Sequence, residues 1–448
     1  MHTKAIVHIM TKSRMKSEVF TSDIDAIEEV SEKYGIKNVI FYKGEKIEYA
    51  DLINKLKKLG IFLYNYSNKE DLKEKAIEFS KDYEIIFVNT AIELLINTVN
   101  EVRSALGHSV SDNPNIFRNK FLQRDLLQKH NPDLGVKFVK GTVDDFKLEE
   151  LEQYVGYPFI IKPIDGVQSS GVAKIKNKKD FLDYVGHYKE FHDRLEARGI
   201  NNKELIVEEY IDGTLYSIDY YIDNDGKTFL SKPVKVRLGV DVNVNDYCNI
   251  ARISSEKTEG EFKGKRLKTF VNSNVTATGI KNTFVHHEFK INSKGELKTI
   301  ELNGRLGGGR LELMNRAYGI NMYELICNPE IKISKLKENN IVVNIYATKR
   351  GMLREFNHKL LEKIRTKKSV YGIDLEECYV GKEIGLTKDG FIKIGNIKLA
   401  NKNYEELASD FKYIKKHYGD LLIIDEFDEN KKIKKKNIFK IFREYLNR

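Results

Sequence analysis

Phe159-Ile160-Ile161-Lys162-Pro163, running on through Ile164 into Asp165-Gly166-Val167-Gln168-Ser169-Ser170-Gly171, is the stretch from which the fold is read. A short run of apolar β-formers reads as a buried strand. It ends on a lysine, and burying an unpaired ammonium is costly, so Lys162 is expected to meet an anion. The loop that follows holds two glycines and two serines, which let backbone N–H groups and hydroxyls come close to phosphate-type oxygens. Alone, the same residues also describe an ordinary hairpin whose lysine reaches solvent.

The second informative stretch lies downstream. His286-His287-Glu288-Phe289 and Thr299-Ile300-Glu301-Leu302-Asn303-Gly304-Arg305 read as two strands joined by the turn Asn292-Ser293-Lys294-Gly295. Alternate residues of a strand share a face, so Glu301 and Asn303 point the same way and Glu288 is expected to face them from the paired strand. Two carboxylates and an amide oxygen are hard ligands that suit Mg²⁺. Arg305 is placed to stabilise negative charge developing in a reaction. The Gly307-Gly308-Gly309 turn then lets backbone approach a ligand at the start of a helix.

Around these stretches the 448 residues suggest about three domains. The first part alternates strand and helix: strands at 4–10, 38–42 and 84–89, helices at 23–34, 51–59 and 91–106. This predicts a parallel α/β sheet, and no GxGxxG opens its first helix. Next come a helix at 117–130, strands at 136–140, 159–162 and 172–176, and helices at 143–155 and 179–197. Strands are then expected at 205–211, 216–222, 229–237, 283–291 and 297–303, with helices at 264–278, 311–318 and 322–327. From residue 341 a smaller α+β unit begins, with a strand at 341–347 and a helix at 403–418. The expected units are 1–115, 116–204, 205–335 and 336–448.

Composition excludes several classes. Lys plus Arg number 76 against 66 Asp plus Glu, a formal net charge of +10. Part of that excess sits in Lys431-Lys432-Ile433-Lys434-Lys435-Lys436, which reads as a solvated basic tail. No zinc-finger, RNA-recognition or basic-zipper pattern accompanies it, so a nucleic-acid partner is not expected. Cys248, Cys327 and Cys378 are too scattered for a disulfide framework or a CxxC metal site. No run of about 18 apolar residues is present, and the opening segment, broken by Lys12, Arg14 and Lys16, does not read as a signal peptide. A reduced, cytoplasmic protein with no membrane partner is the expectation.

Taken in order, these pieces resemble the ATP-grasp superfamily, nearest its carboxylate–amine ligase branch, which includes the L-amino acid ligases. Asn119-Lys120 looks like the first nucleotide lysine, and Lys162 like the second, near adenine and the α-phosphate. Residues 165–172, with Ser169, Ser170 and Gly171, look like the mobile phosphate-covering loop. Glu208-Glu209-Tyr210-Ile211 looks like the hinge that hydrogen-bonds adenine. His286-x-Glu288 and Glu301-x-Asn303-x-Arg305 look like the metal ligands Glu288, Glu301 and Asn303 followed by the catalytic Arg305. The resemblance spans about residues 80 to 330. It implies an N-terminal parallel α/β domain, a small lid, a central antiparallel ATP-grasp domain and a small C-terminal α+β subdomain. One departure stands out: the family usually reads Gly-x-Glu-Tyr-Ser-Val-Asp after the hinge, and here the run is Gly213-Thr214-Leu215-Tyr216-Ser217-Ile218-Asp219, which puts the ribose contact in doubt.

The resemblance implies ATP and Mg²⁺ as cofactors, with Mn²⁺ as a substitute, small carboxylate and amine substrates, and a homodimer as one allowed assembly. ATP would phosphorylate a carboxylate, and an amine would attack the acyl phosphate to form an amide. No nucleophilic side chain is then required, and Cys248→Ser is expected to keep turnover. Lys235 and Arg237 are candidate triphosphate contacts. The segment from Val240 to Ser255, with Tyr247 and Arg252, is a candidate acceptor-binding loop, and of His286 and His287 one is expected to pack against the sheet. The rivals are an ATP-grasp carboxylase or purine-biosynthetic-type ligase, a catalytically silent nucleotide-binding regulator, and a nucleic-acid binder using the lysine tail. No biotin-carrier Met-Lys-Met motif supports the carboxylase.

Overall fold

Four apolar runs near the N-terminus become parallel strands: β1 (Thr3–Thr11), β2 (Lys37–Lys43), β3 (Ile61–Tyr66) and β4 (Tyr83–Asn89), in spatial order β3-β2-β1-β4. The computed structural model describes residues 2–15, 19–44, 50–167, 169–196, 201–242, 244, 246–262, 264–387 and 393–427. Gln168 and the lysine-rich run at 431–436 lie outside the described residues. Helices Val19–Tyr34, Ala50–Lys58, Lys69–Ser80 and Ile96–Ala105 accompany this sheet. β3 and the helix Lys69–Ser80 went unread in the sequence. That helix is charge-rich, and its start is fixed locally, where the Asn68 side chain accepts the Asp71 N–H.

A second, antiparallel sheet has the order β5-β8-β6-β7, formed by β5 (Phe138–Gly141), β6 (Phe159–Pro163), β7 (Ala173–Ile175) and β8 (Leu205–Glu209). The helix expected at 143–155 is shortened to Leu148–Tyr154. Asp145 accepts from the Thr142 N–H and hydroxyl, both at 2.7 Å, and this turn occupies the first residues of the expected helix.

The largest sheet runs β14-β13-β9-β11-β12-β15-β19-β17, with β10 on β9. Its strands are β9 (Thr214–Ile222), β10 (Thr228–Leu230), β11 (Val234–Leu238), β12 (Asn249–Ser254), β13 (Thr283–Ile291), β14 (Leu297–Asn303), β15 (Asn339–Ile345), β17 (Val370–Leu375) and β19 (Gly395–Asn401). The single strand expected at 229–237 is two strands on β9, because Pro233 has no N–H for a ladder and the register slips by one residue between Leu230 opposite Tyr220 and Val234 opposite Ser217. The segment 240–255 is not all loop; its second half is β12, paired on both sides. Residues beyond 336 continue this sheet through β15. A small sheet of β18 (Glu383–Ile384), β16 (Gly351–Phe356) and β20 (Leu422–Glu426) completes the chain.

The N-terminal sheet and the large sheet share a core. Ile6, Met10 and Ile40 pack in one apolar cluster with Leu313, Met314, Tyr318 and Tyr323, which follow the triple-glycine turn. This holds the carboxyl ends of β1 and β4, the edge where open α/β sheets place ligands, against the segment that follows the triple-glycine turn. No helix among the described residues is long and apolar enough to cross a membrane.

Candidate active site

The pairing of β13 with β14 sets Glu288 directly opposite Glu301 and His286 opposite Asn303. β9 adds Leu215 beside Lys290, Ser217 beside Glu288 and Asp219 beside His286. One face of three strands is therefore a polar strip. The other face, with Tyr216, Ile218, Tyr220, Val285, Phe289 and Leu302, packs on the helix Arg266–Thr278. Period-two alternation produces this separation from the sequence itself. It also decides the histidines. His287 faces the core, its ring stacked on Phe270 at 5.1 Å and its basicity pushed down to about 3 by burial. His286 faces the strip, with Nδ1 2.6 Å from Asp219 and Nε2 3.4 Å from Glu288. Burial alone would lower the His286 pKa, but the Asp219 carboxylate outweighs it and raises it.

Lys120 begins a helix capped by Asn119, whose side chain accepts the Leu122 N–H. Its Nζ reaches Glu301 at 2.8 Å and the Gly166 carbonyl at 2.7 Å. Lys162, at the end of β6, donates to Glu208, and Arg124 Nε meets the other oxygen of that carboxylate at 2.9 Å. Burial would raise the Glu208 pKa, yet the two cations outweigh it and hold the carboxyl down to about 2. Sequence reasoning missed Arg124. The signal was available: Lys120, Gln123, Arg124 and Leu127 are all buried, at helical i, i+3, i+4, i+7 spacing.

Ten of the expected residues line one cleft: Lys120, Lys162, Ser169, Ser170, Glu208, Glu209, Tyr210, Ile211, Glu288 and Glu301. It encloses about 860 Å³, counting its mouth, which suits a small-molecule ligand. Leu215 and Tyr247 also face it. Lys174 stands 3.3 Å from the Tyr210 ring centre, and Lys290 donates to the Ile211 carbonyl at 2.7 Å. Gly171 sits just behind the wall with φ +69°, and a Cβ there would come within 2.0 Å of the Phe191 ring. Gly171→Ala is therefore expected to displace the 165–171 loop and cut turnover at least tenfold, with the helix Lys178–Glu196 still formed; steady-state phosphate release and circular dichroism check this.

Asn303 is the buried end of the strip, opposite His286, and its side-chain carbonyl oxygen has no hydrogen-bond partner. Arg305 is not among the residues that line the first cleft, although the charge of Glu301 acts on it. It donates to Glu93 of the N-terminal half at 2.8 Å and lines a second cavity with Gly307, Gly308 and Gly309. Arg310 and Glu93 were also missed. Arg310 is 1% exposed, donates to Ser217, and keeps Nε and Nη1 unpartnered. Lys235 and Arg237 are corrections: both project from the opposite face of β11, and Lys235 pairs with Glu261 at 2.7 Å, so neither reaches the cleft. Tyr247 and Arg252 do not act together, because Tyr247 faces the first cleft while Arg252 Nη1 lies against the glycine turn, 3.6 Å from where a Cβ of Gly309 would stand.

Residues 155–312 match the family model of the ATP-grasp domain, a range that holds β6 to β8, the polar strip and the glycine turn. The chain carries an ATP-grasp domain. A D-alanine–D-alanine ligase of Anaplasma marginale is 34% identical over 112 residues, 24% of this chain and 29% of that protein. A formate-dependent phosphoribosylglycinamide formyltransferase of Prochlorococcus marinus is 25% identical over 175 residues, 38% of this chain and 42% of the relative. The chain thus matches under half the length of these relatives. The crystal structure of an L-amino acid ligase from Bacillus licheniformis superposes with a TM-score of 0.66 at 17% identity, over 96% of this chain and all of that one. The N5-carboxyaminoimidazole ribonucleotide synthetase purK in its ADP complex gives 0.61 at 14% identity over 94% of this chain and 97% of that one. The ATP-grasp architecture expected from the sequence, with its parallel and antiparallel sheets, is borne out.

Proposed function

We propose that this ATP-grasp protein is an ATP-dependent ligase that forms a carbon–nitrogen bond, joining a small carboxylate, an amino acid in our reading, to an amine. The observation that carries it is the register of β13 and β14, which pairs Glu288 with Glu301 in the cleft that also holds Lys120 and Lys162, with Asn303 two residues along β14 opposite His286. The unpartnered Asn303 oxygen and the paired carboxylates form a hard-oxygen donor set, so these three residues fit Mg²⁺. The ion, when bound, would neutralise phosphate oxygens.

In this reading Lys120 and Lys162 offset the polyphosphate charge, and the hinge at 208–211 receives the base. The substrate carboxylate oxygen attacks the γ-phosphorus, and ADP leaves. The amine nitrogen then attacks the acyl carbon, phosphate leaves with the C–O bond pair, and the amine gives up its proton. Arg305, held by Glu93, faces the charge that develops on the acyl oxygen. Ser169 and Ser170 close the cleft against water, which would hydrolyse the acyl phosphate. Leu215 leaves the ribose without the usual carboxylate at that position.

The test is phosphate release from Mg-ATP with amino acids singly and in pairs, with mass spectrometry of products, and with bicarbonate and formate in the panel. Release that requires one pair, with a product of their summed mass less water, supports the ligase. Release driven by bicarbonate or formate favours the carboxylase or purine-type reading. Tight ATP binding without release favours the silent regulator.

A further inference from the structure

The second cavity has one wall made of residues that no ATP-grasp motif covers. It encloses about 570 Å³, counting its mouth, between the carboxyl edge of the N-terminal sheet and the glycine turn, with Asp23, Asn89, Thr90, Arg305, Gly308 and Tyr323 among its lining. Behind Asn89 runs a row of polar side chains across an otherwise apolar sheet face. His8 is opposite Asn89 on β4, and Asn38 lies on the same face of β2 beside Ile6. Their neighbours there are Ile6, Met10, Ile40 and Phe87, all buried. A polar row in such surroundings is costly unless every group is satisfied.

The hydrogen bonds of this row allow one orientation. Asn38 Nδ2 lies 3.4 Å from the Ile27 carbonyl and 2.5 Å from Ser31 Oγ. A carbonyl only accepts, so the Asn38 NH₂ points to the helix and its Oδ1 points to His8. His8 Nε2, 2.8 Å from that oxygen, must carry the proton. Burial keeps the ring neutral, its pKa pushed down to about 4, so Nδ1 is a bare lone pair. Asn89 Nδ2, 3.3 Å from Nδ1, donates to it. Asn89 Oδ1 is thereby turned away from His8, toward the cavity. A backbone carbonyl on the helix Val19–Tyr34 thus dictates, through two side chains, that the cavity wall offers an acceptor. Asp23 adds a carboxylate to the lining of the same cavity, which Arg305 and the glycine turn also line.

We propose that Asn89 is a specificity-determining residue that accepts an N–H from the ammonium or amino group of a substrate, and that His8 and Asn38 are positioning residues that hold its oxygen toward that group. The inference deepens the ligase reading and rests on it for the reaction, although the acceptor wall is a property of this chain's own residues.

Two measurements test it. With the amino acids that best stimulate phosphate release, Asn89→Leu should raise KM for the amine-bearing substrate at least tenfold and leave KM for ATP within twofold. Asn89→Asp, which keeps an acceptor, should leave the amine KM unchanged or lower it. His8→Leu should behave as Asn89→Leu, and His8→Gln, which supplies both an acceptor and a donor, should restore wild-type values. Equal losses in Asn89→Leu and Asn89→Asp overturn the assignment, since a spacer would not tell a carboxylate from an isobutyl group. The second measurement needs no turnover: ethylammonium chloride is titrated into protein labelled with ¹⁵N at asparagine. The Asn89 side-chain resonance should shift saturably in wild type and not in His8→Leu. If that holds while no amino acid drives phosphate release, the ligase reading fails and this inference stands. If ethylammonium leaves the resonance unmoved, the inference fails whatever the enzyme does with ATP.

Discussion

Glu301→Ala is expected to lower kcat for phosphate release by at least about 10³-fold, on the order of 4 kcal/mol of lost transition-state stabilisation. The residue has two duties in the cleft. Its carboxylate faces Glu288 across the strand pair, and its Oε1 holds Lys120 Nζ at 2.8 Å. On the proposed reading, truncation would remove a hard-oxygen ligand and leave Lys120 with its bond to the Gly166 carbonyl. Glu301→Gln separates the duties, because it keeps an oxygen in place and loses the charge; it should recover less than a tenth of wild-type turnover. Rates at saturating Mg-ATP decide this, with nucleotide affinity measured by calorimetry alongside. Full activity in Glu301→Ala would falsify the metal assignment and reduce Glu301 to a counter-ion.

Glu208→Ala should have the largest effect on stability, a loss of about 3–5 kcal/mol. Glu208 is 3% exposed and lies between Lys162 and Arg124, so its removal leaves two buried cations facing each other. The same arrangement sets a pH dependence. The Glu208 carboxyl is lowered from 4.5 to about 2 in the fold. A depressed carboxylate stabilises fully above its unfolded value and loses that contribution as pH falls through the folded one. The difference, 4.5 − 2, corresponds to roughly 3 kcal/mol. Acid unfolding of the wild type should therefore steepen between about pH 4.5 and pH 2, and Glu208→Gln should remove that component. Chemical denaturation at pH 7, 4.5 and 3 is the measurement. Identical pH profiles for the two proteins would refute the role given to the Lys162–Glu208–Arg124 group.

What the sequence disclosed follows from how local each feature is. Glu288, Glu301 and Asn303 were legible because strand alternation is set within a few residues, and the turn at 292–295 makes the two strands neighbours. Lys162 was legible because a charge ending an apolar strand is anomalous by itself. Arg305 stood out as an arginine just past the strip, but its partner Glu93 lies 212 residues away, and no spacing rule reaches that far. Lys235 was misjudged for a local reason: it was taken by charge alone, and alternation along β11 puts it on the face of Tyr216. β12 was hidden because its short run, Asn249-Ile250-Ala251-Arg252-Ile253-Ser254, is secured on its second edge only by β15, a strand far along the chain. The His8–Asn38–Asn89 row left no motif at all, since its meaning lies in which atoms face which across three strands.

The passage of the large sheet from β12 to β15 bears on how this protein can be divided. A recombinant fragment ending at 335 would keep every residue matched to the family model, yet it would bare the long edge of β12, whose N–H and C=O groups are paired by β15 in the whole chain. It would also strip the shared core in which Ile250 and Ile253 meet Ile341, Val343 and Ile397. An uncovered edge above a half-emptied core is a template for intermolecular pairing. Such a fragment should precipitate instead of standing as a minimal ATP-grasp unit. The heritable module is therefore larger than the motif that identifies it, and a gene fusion or exchange that respected only residues 155–312 would inherit the chemistry without a soluble scaffold.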